Sequence, residues 1–413
     1  MPTRCRSYLL AASLVLTSAG PVAADGEAKE PVFAVRTAAG TTLEGTWREL
    51  KRDWSVRVGE GEGTPVSGNN VLAVRRKDAP LPPLPVYDHL LLANGDRLPF
   101  KGLRLVGEKF QFRHPSLEAG KAASVPLAAV SVLWLIAPDK TLDAEKLRRR
   151  LAADTRDRDT LCLRNGDVLA GVLTGLDENN VEMEVEKKQV KAPIGQVAYI
   201  AFNTELADAL RPKGVYARLV MTEGQRDGGG RLSLTSASCS DGETLTGTTV
   251  FGARVRVPLR EVAALDLYQG QAVHLSDLKP AKYDYRPFLD ATWPYALNAN
   301  VAGHDLRLGG STYDKGVSLH SHSRLSYRAG GAYRRFEALV GLDERDGREG
   351  SVRVRVLADG EALVDRELTR RDGAVPIAVK IEGVRELTLE VDFGAGADVQ
   401  DVVNWVDARL IRR

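Results

Sequence analysis

From residue 33 onward the chain alternates. Apolar and polar residues change places every second position, the period of a strand with one buried face. "LLLANGDRLPFKGLRLVGEKFQF" from Leu90 and "LCLRNGDVLAGVLTGLDENNVEMEV" from Leu161 each set Asn-Gly between two such runs, which predicts strand, tight turn, strand. "FAVRTAAGTTLEGTWREL" from Phe33 is a weaker copy with Ala39-Gly40 at the turn. "SASCSDGETLTGTTVFGARVRV" from Ser236 is another, with Asp241-Gly242. Each copy closes alike, in "PVSGNNVLAV", "PLAAVSVLWL", "PIGQVAYIAF" and "PLREVAALDL". A proline, an aliphatic residue and a short polar gap there feed a last strand. The pattern predicts four copies of one small all-strand unit, with Gly40, Gly95, Gly166 and Gly242 as matched turn glycines.

The units resemble small SH3-like or Sm-like β-barrels, expected over 31–78, 86–138, 159–204 and 214–270. The second departs from the pattern, with Phe100 where the others carry Gly, and a bulge would absorb the difference. The fourth has a Gly-rich lead, "TEGQRDGGGRL", read as a long hairpin loop. "LPPLP" at Leu81 reads as a stiff linker. Residues 139–158 predict a connecting helix, with Thr141 as cap, Leu142, Leu147 and Leu151 as a loose apolar stripe, and Arg148 to Arg150 as a solvated face. Asp96 and Asp167 follow turn glycines and read as solvated turn positions, not as an acid site.

From about Tyr283 the repeat stops, and many short strands follow with almost no helical period. "SVRVRVLADGEALVDREL", "GAVPIAVKIEG", "RELTLEVDFG" and "DVVNWVDARLI" predict a β-sandwich over 283–413. The fold class expected for the whole chain is therefore mostly β: tandem small barrels followed by a jelly-roll sandwich.

The N-terminus has another pattern. Arg4 and Arg6 precede the short apolar run "YLLAASLVLTSAG", and "PVAA" ends in small residues, the order of an export signal over 1–24. The expected location is the periplasm or the extracellular space. Lys and Arg number 57 against 55 Asp and Glu. Loss of Arg4 and Arg6 leaves 55 of each sign, so net charge makes no case for nucleic acid. No second apolar segment is long enough for a membrane span. Cys162 and Cys239 sit out of phase on their strands, so two free thiols are expected rather than a bridge.

Candidate chemistry concentrates in "LRLGGSTYDKGVSLHSHS", Leu306 to Ser323. Read as one strand through Tyr327, it puts Val317, Leu319, Leu325 and Tyr327 on a core face and His320, His322 and Arg324 on a polar one. A metal needs three or four ligands, and the nearest other histidine is His304. Catalysis needs a base, an orienting acid and a nucleophile, which no segment supplies together. Ligand display or a structural histidine is the better reading. Sugars are held by an aromatic face against ring C–H groups and by polar side chains on hydroxyls. Trp293, Tyr313, His320, Arg324 and Asp343 supply such groups, whereas Trp405, Tyr327 and Phe336 read as core. Asp398 and Asp401, with Asp343, offer oxygens to a structural calcium, and plain loop carboxylates are the alternative.

The order "LGGSTYDKGVSLHSHSRLSYRAGGAYRRFEALVGLDE", "GSVRVRVLADGEAL", "LTLEVDFGAGADVQDVVNWVDARL" resembles the NPCBM family of carbohydrate-binding modules, with a galactose-binding-domain-like jelly roll. Its carriers include Gly309, Gly310, Tyr313, Lys315, Gly316, His320, Ser323, Asp343, Asp401 and Trp405; His322 departs from the family pattern. The resemblance implies a non-catalytic module for a glycan or polysaccharide, with the repeats as spacers or as docking units for other exported proteins. The alternatives are a protein–protein scaffold without a sugar site, and an accessory subunit of a glycoside hydrolase or a cryptic hydrolase, for which a carboxylate pair about 5–10 Å apart would have to appear in a cleft.

Overall fold

The structure, a computed structural model, describes residues 30–222, 229–288 and 291–413. The expected export signal lies outside the described residues, as does the tip of the Gly-rich lead at 223–228.

Strands form where the alternation places them. Each of the four segments is a five-strand meander. The first runs Val32–Thr37, Thr42–Leu50, Val56–Val58, Thr64–Val66 and Val71–Arg76; the third runs Asp159–Leu163, Val168–Leu176, Asn180–Val185, Lys188–Pro193 and Val197–Ala201. A one-turn 3-10 helix precedes each last strand: Gly68–Asn70, Leu127–Ala129, Ile194–Gln196 and Leu259–Glu261. Pro126, Pro193 and Pro258 stand directly before theirs, but in the first segment Ser67 holds that place and Pro65 lies on the preceding strand. The second segment breaks its second strand at Phe100, and the register shifts between Lys101 and Arg104.

Gly40, Gly95 and Gly166 close equivalent turns. Their amides donate to the carbonyls of Thr37, Leu92 and Leu163 at 2.9–3.0 Å, with φ between +87° and +97°, which a Cβ would strain. Gly242 is not their fourth counterpart. Asp241-Gly242 lies between Arg231–Ser238 and Thr244–Thr249, the second and third strands of its segment. The first two strands of that segment, Tyr216–Met221 and Arg231–Ser238, pair antiparallel upstream of Gly242. A meander repeats strand–turn–strand within itself, so a slip of one hairpin leaves the alternation intact.

The four segments do not stand apart. Last strands pair antiparallel: Val71–Arg76 with Val262–Tyr268, and Val130–Trp134 with Val197–Ala201. Both seams centre on the fourth residue of each strand, Val74 opposite Leu265 and Leu133 opposite Ile200. One large apolar cluster, from Phe33 to Leu267, draws on all four segments, and a second gathers Leu91, Trp134, Leu151 and Tyr199.

Asp96 corrects another expectation. It is fully buried, accepts from the Ser233 amide and hydroxyl at 2.7 Å, and pairs with Arg218 at 3.3 Å, tying the second segment to the fourth. Asp167 is exposed, as expected. Cys162 and Cys239 are free, buried and in different apolar clusters.

The connecting helix is Ala144–Ala153, and Asp143, not Thr141, caps it through the Glu145 and Lys146 amides at 3.1 Å. Leu151 is buried, whereas Leu142 lies before the helix, fully exposed. The basic run is not a solvated face throughout. Arg149 pairs with Asp305 and donates to the Asn298 carbonyl, and Arg148 lies 5.2 Å from the Trp134 ring centre.

The C-terminal part is a sandwich. One sheet orders Ala296–Leu297, Gly316–His320, Val402–Arg412, Tyr333–Leu342 and Val375–Lys380; the other orders Lys282–Tyr285, Ser323–Arg328, Glu386–Phe393, Ser351–Ala358 and Glu361–Thr369. Ala272–His274 also pairs with Val402–Arg412, so the sandwich begins before the expected boundary at 283. Leu319, Leu325, Tyr327, Phe336, Val354, Leu389 and Trp405 fill the space between the sheets. This body is built into the repeats. Leu81 of the linker, Ala264, Leu308, Tyr313 and Val406 share one buried cluster, and Arg75 reaches both Asp266 and Asp407 at 2.7–2.8 Å.

Candidate functional site

The stretch read as one strand is two. Gly316–His320 belongs to the first sheet and Ser323–Arg328 to the second, so the chain changes sheets at Ser321–His322. His320 and His322 thus do not share a face: His320 is buried and His322 is partly exposed. Both lie at one end of the sandwich, where residues 291–295 and 394–401 also arrive.

At that end Trp293 lies flat on His320, with ring centres 4.7 Å apart and planes 5° from parallel. Strand Lys282–Tyr285 holds the loop in place. The Tyr283 hydroxyl donates to the Trp293 carbonyl at 2.6 Å, and that of Tyr285 to the Ala291 carbonyl at 3.2 Å. Burial lowers the His320 pKa, opposed by the Ser321 carbonyl and the Asp398 charge. The imidazole is neutral at pH 7. Its Nδ1 sits 3.0 Å from the Ser321 carbonyl and so carries the hydrogen, which leaves Nε2 as an acceptor. Trp293 keeps part of its surface open.

Aromatic and acidic groups flank the stack. His322 meets the Phe393 ring at 5.3 Å, and Phe288, half-exposed, meets the same ring at 5.6 Å. Arg324 is exposed and pairs with buried Glu390. Asp398 acts electrostatically on His320, Tyr285 and Asp401 together. Asp401 is fully buried; its Oδ1 accepts from the Ser351 amide at 3.1 Å, and its Oδ2 makes no hydrogen bond of normal length, with the Ser321 hydroxyl as the polar neighbour that favours its charge. Burial pushes this carboxyl up to about 6. Among the described residues no three His, Cys, Asp or Glu side chains gather as a metal site.

Of the residues singled out from sequence, the fold brings together Trp293, His320, Asp398 and Asp401, with Arg324 two residues beyond His322 on the strand Ser323–Arg328. Two fall elsewhere. Tyr313 is buried against the repeat body under Arg75, and burial pushes its phenol up to about 12. Asp343 is fully buried, accepting from the Arg345 and Asp346 amides at 2.9 Å and from Asn404 Nδ2 at 2.6 Å. Neither presents a group to a glycan. Tyr285, Phe288 and Phe393 went unnoticed in the sequence, although the Tyr-x-Tyr alternation of "KYDY" marks Tyr283 and Tyr285 as same-face aromatics.

These loops and sheets have relatives. Residues 271–411 match the NPCBM/NEW2 domain model. That is the C-terminal third of the chain, and the domain family supports a carbohydrate-binding role for it. A Renibacterium salmoninarum protein named "Putative endo-alpha-N-acetylgalactosaminidase" is 28% identical over 110 residues, 26% of this chain and 7% of that protein. The chain thus spans a small fraction of this curated relative. A CBM51 module of a Clostridium perfringens protein, solved with methyl-galactose, is 28% identical over 34% of this chain and 99% of its own, at TM-score 0.31. A second C. perfringens structure, of CBM51 and INT domains with GlcNAc, is 20% identical over 44% of each chain, at TM-score 0.32.

Proposed function

We propose that this is an exported, non-catalytic glycan-binding protein whose sugar site is the loop end of the sandwich. The observation that carries the site is the parallel stack of Trp293 on His320. A buried, neutral imidazole backs the indole and holds it flat, so the remaining aromatic surface is pre-set for the C–H face of a pyranose. His320 Nε2 as acceptor, with Arg324 and Asp398 at the rim, supplies groups for hydroxyls. The same loop offers Asp398 and Asp401 to a structural calcium. The buried Oδ2 of Asp401, without a hydrogen bond of normal length, suits a cation, and loop carbonyls would complete its oxygen set. The repeat body presents the sandwich rigidly, because the two share buried apolar and ionic contacts.

The test uses the full chain on a broad glycan panel, with Trp293→Ala and Arg324→Ala beside it. Saturable binding to a neutral saccharide, lost in Trp293→Ala and weakened in Arg324→Ala, is the expected result. Folded protein that binds no glycan would sink the proposal in favour of a scaffold role.

A further inference from the structure

A second polar cleft opens where the repeat body meets the sandwich, far from the loop end. It has a volume of about 640 Å³ and is lined from the fourth segment, the turn at Asn94, the segment Ala272–Asp277 and the sandwich. Its floor is aromatic. Tyr216 stacks on Tyr268, with ring centres 5.3 Å apart and planes 20° from parallel, and His274 packs on Tyr268 at 5.3 Å. Tyr268 is buried, while Tyr216 is only half-buried at the cleft.

Its walls are donors. Arg218, 6% exposed, donates Nη2 to the Asn94 carbonyl at 2.8 Å and pairs with Asp96, yet its Nε is buried with no hydrogen-bond partner. The Ser276 hydroxyl is likewise buried and partnerless. Lys315 pairs with Asp277 and lies 5.8 Å from the Tyr268 ring centre. Arg211 and Arg412, both exposed, make no ion pair among the described residues. Among the described residues the only carboxylate lining the cleft is Asp277, which Lys315 takes, so Arg211 and Arg412 are left facing outward without an acid.

Unpaired donors beside an open aromatic face call for a ligand rich in acceptors, negatively charged and able to lay a face of ring C–H groups on the tyrosine. We propose that this cleft binds an acidic saccharide, carboxylated or sulfated. Arg211 and Arg412 grip the anionic group in charge-assisted hydrogen bonds, Tyr216 lies under the sugar ring, and Arg218 Nε and Ser276 meet further oxygens. The site goes beyond the loop-end proposal and is spatially independent of it. His320 pairs with Val402 at one end of the strand Val402–Arg412, and Arg412 is at the other, about 30 Å away at the rise of a strand.

Calorimetric titration of the full chain tests the proposal. The probes are trigalacturonic acid, its full methyl ester, a sulfated galactan tetrasaccharide and inorganic sulfate. Binding of the free acid or the sulfated sugar is expected, with the ester and inorganic sulfate at least about tenfold weaker. Binding of one acidic sugar alone fixes which anion the site prefers. Arg211→Gln and Arg412→Gln should each lose about tenfold affinity, with unchanged thermal unfolding and a flatter salt dependence. Trp293→Ala should leave this binding intact, which separates it from the loop-end site. No binding of either acidic sugar, equal binding of inorganic sulfate, or affinity untouched by both arginine variants would overturn the proposal.

Discussion

Trp293, on a loop, rests face to face on His320, the last residue of the strand Gly316–His320, with ring centres 4.7 Å apart. The contact fixes the indole from below, so its loss should be felt in binding more than in stability. Trp293 is half-buried on a loop, and Ala there removes the platform without opening the core. Trp293→Ala is expected to weaken glycan affinity at least about tenfold, by calorimetry, while far-UV circular dichroism stays the same. His320→Ala differs, because it opens a hole in a buried position. It should lower both affinity and melting temperature.

Acid should destabilise the fold through its histidines before its carboxylates. Burial is the main cause that lowers His89 and His274 to about 3 and His114 to about 4. All three are neutral when folded, whereas the unfolded chain protonates near 6.5. The unfolded state therefore binds more protons below that pH, and stability falls as pH drops from about 6.5 toward 4. Each histidine contributes up to about 1.4 kcal/mol per pH unit. Asp401, pushed up to about 6, works the other way between about pH 6 and 4 and offsets one of them. The melting temperature should fall steadily from pH 7 to 5 in scanning calorimetry, and a flat profile would contradict the burial argument.

Much of this architecture was readable in the alternation of residues, and the reasons for the rest are physical. Strand existence follows from a period of two, and the core residues Trp405, Tyr327 and Phe336 follow from their place on it. Pairing between segments does not. Val74 faces Leu265 across 190 intervening residues, and nothing local distinguishes that seam from an exposed edge. Asp96 and Asp167 follow the same Asn-Gly turn, yet one is fully buried and the other exposed, because only Asp96 meets an arginine from another segment. The same limit explains the site. Trp293 and His320 were legible as chemistry, but Tyr313 and Asp343 look no different in sequence and are spent inside the fold.

Calcium should act at the loop end if Asp401 Oδ2 meets a cation. A ligand that binds only the folded state stabilises by RT ln(1 + [L]/Kd), about 2.7 kcal/mol at a hundred times Kd. Calcium at 2 mM should then raise the melting temperature above its value in EDTA. Asp401→Asn keeps the oxygen that accepts from the Ser351 amide but removes the charge, and it should abolish the calcium effect. Equal melting temperatures in calcium and EDTA would leave Asp401 as a plain buried carboxylate.

Arg231 shows how firmly the sandwich is built in. Its side chain is 1% exposed, donates to the carbonyls of Gly229 and Pro82 at 2.6 Å, and pairs with Asp314 of the sandwich at 3.4 Å. Met has similar length and no charge. Arg231→Met would strand Asp314 without its cation and leave two buried carbonyls without donors, a loss of about 3–5 kcal/mol for a broken buried pair. The effect should reach beyond stability. Wild-type protein should unfold in one calorimetric transition, because Leu81, Tyr313 and Val406 bury a common apolar cluster between the bodies. With the ionic tie cut, the sandwich and the repeat body should separate into two transitions, the lower one weakened by the variant. Two transitions already present in the wild type would mean that the shared cluster does not couple them.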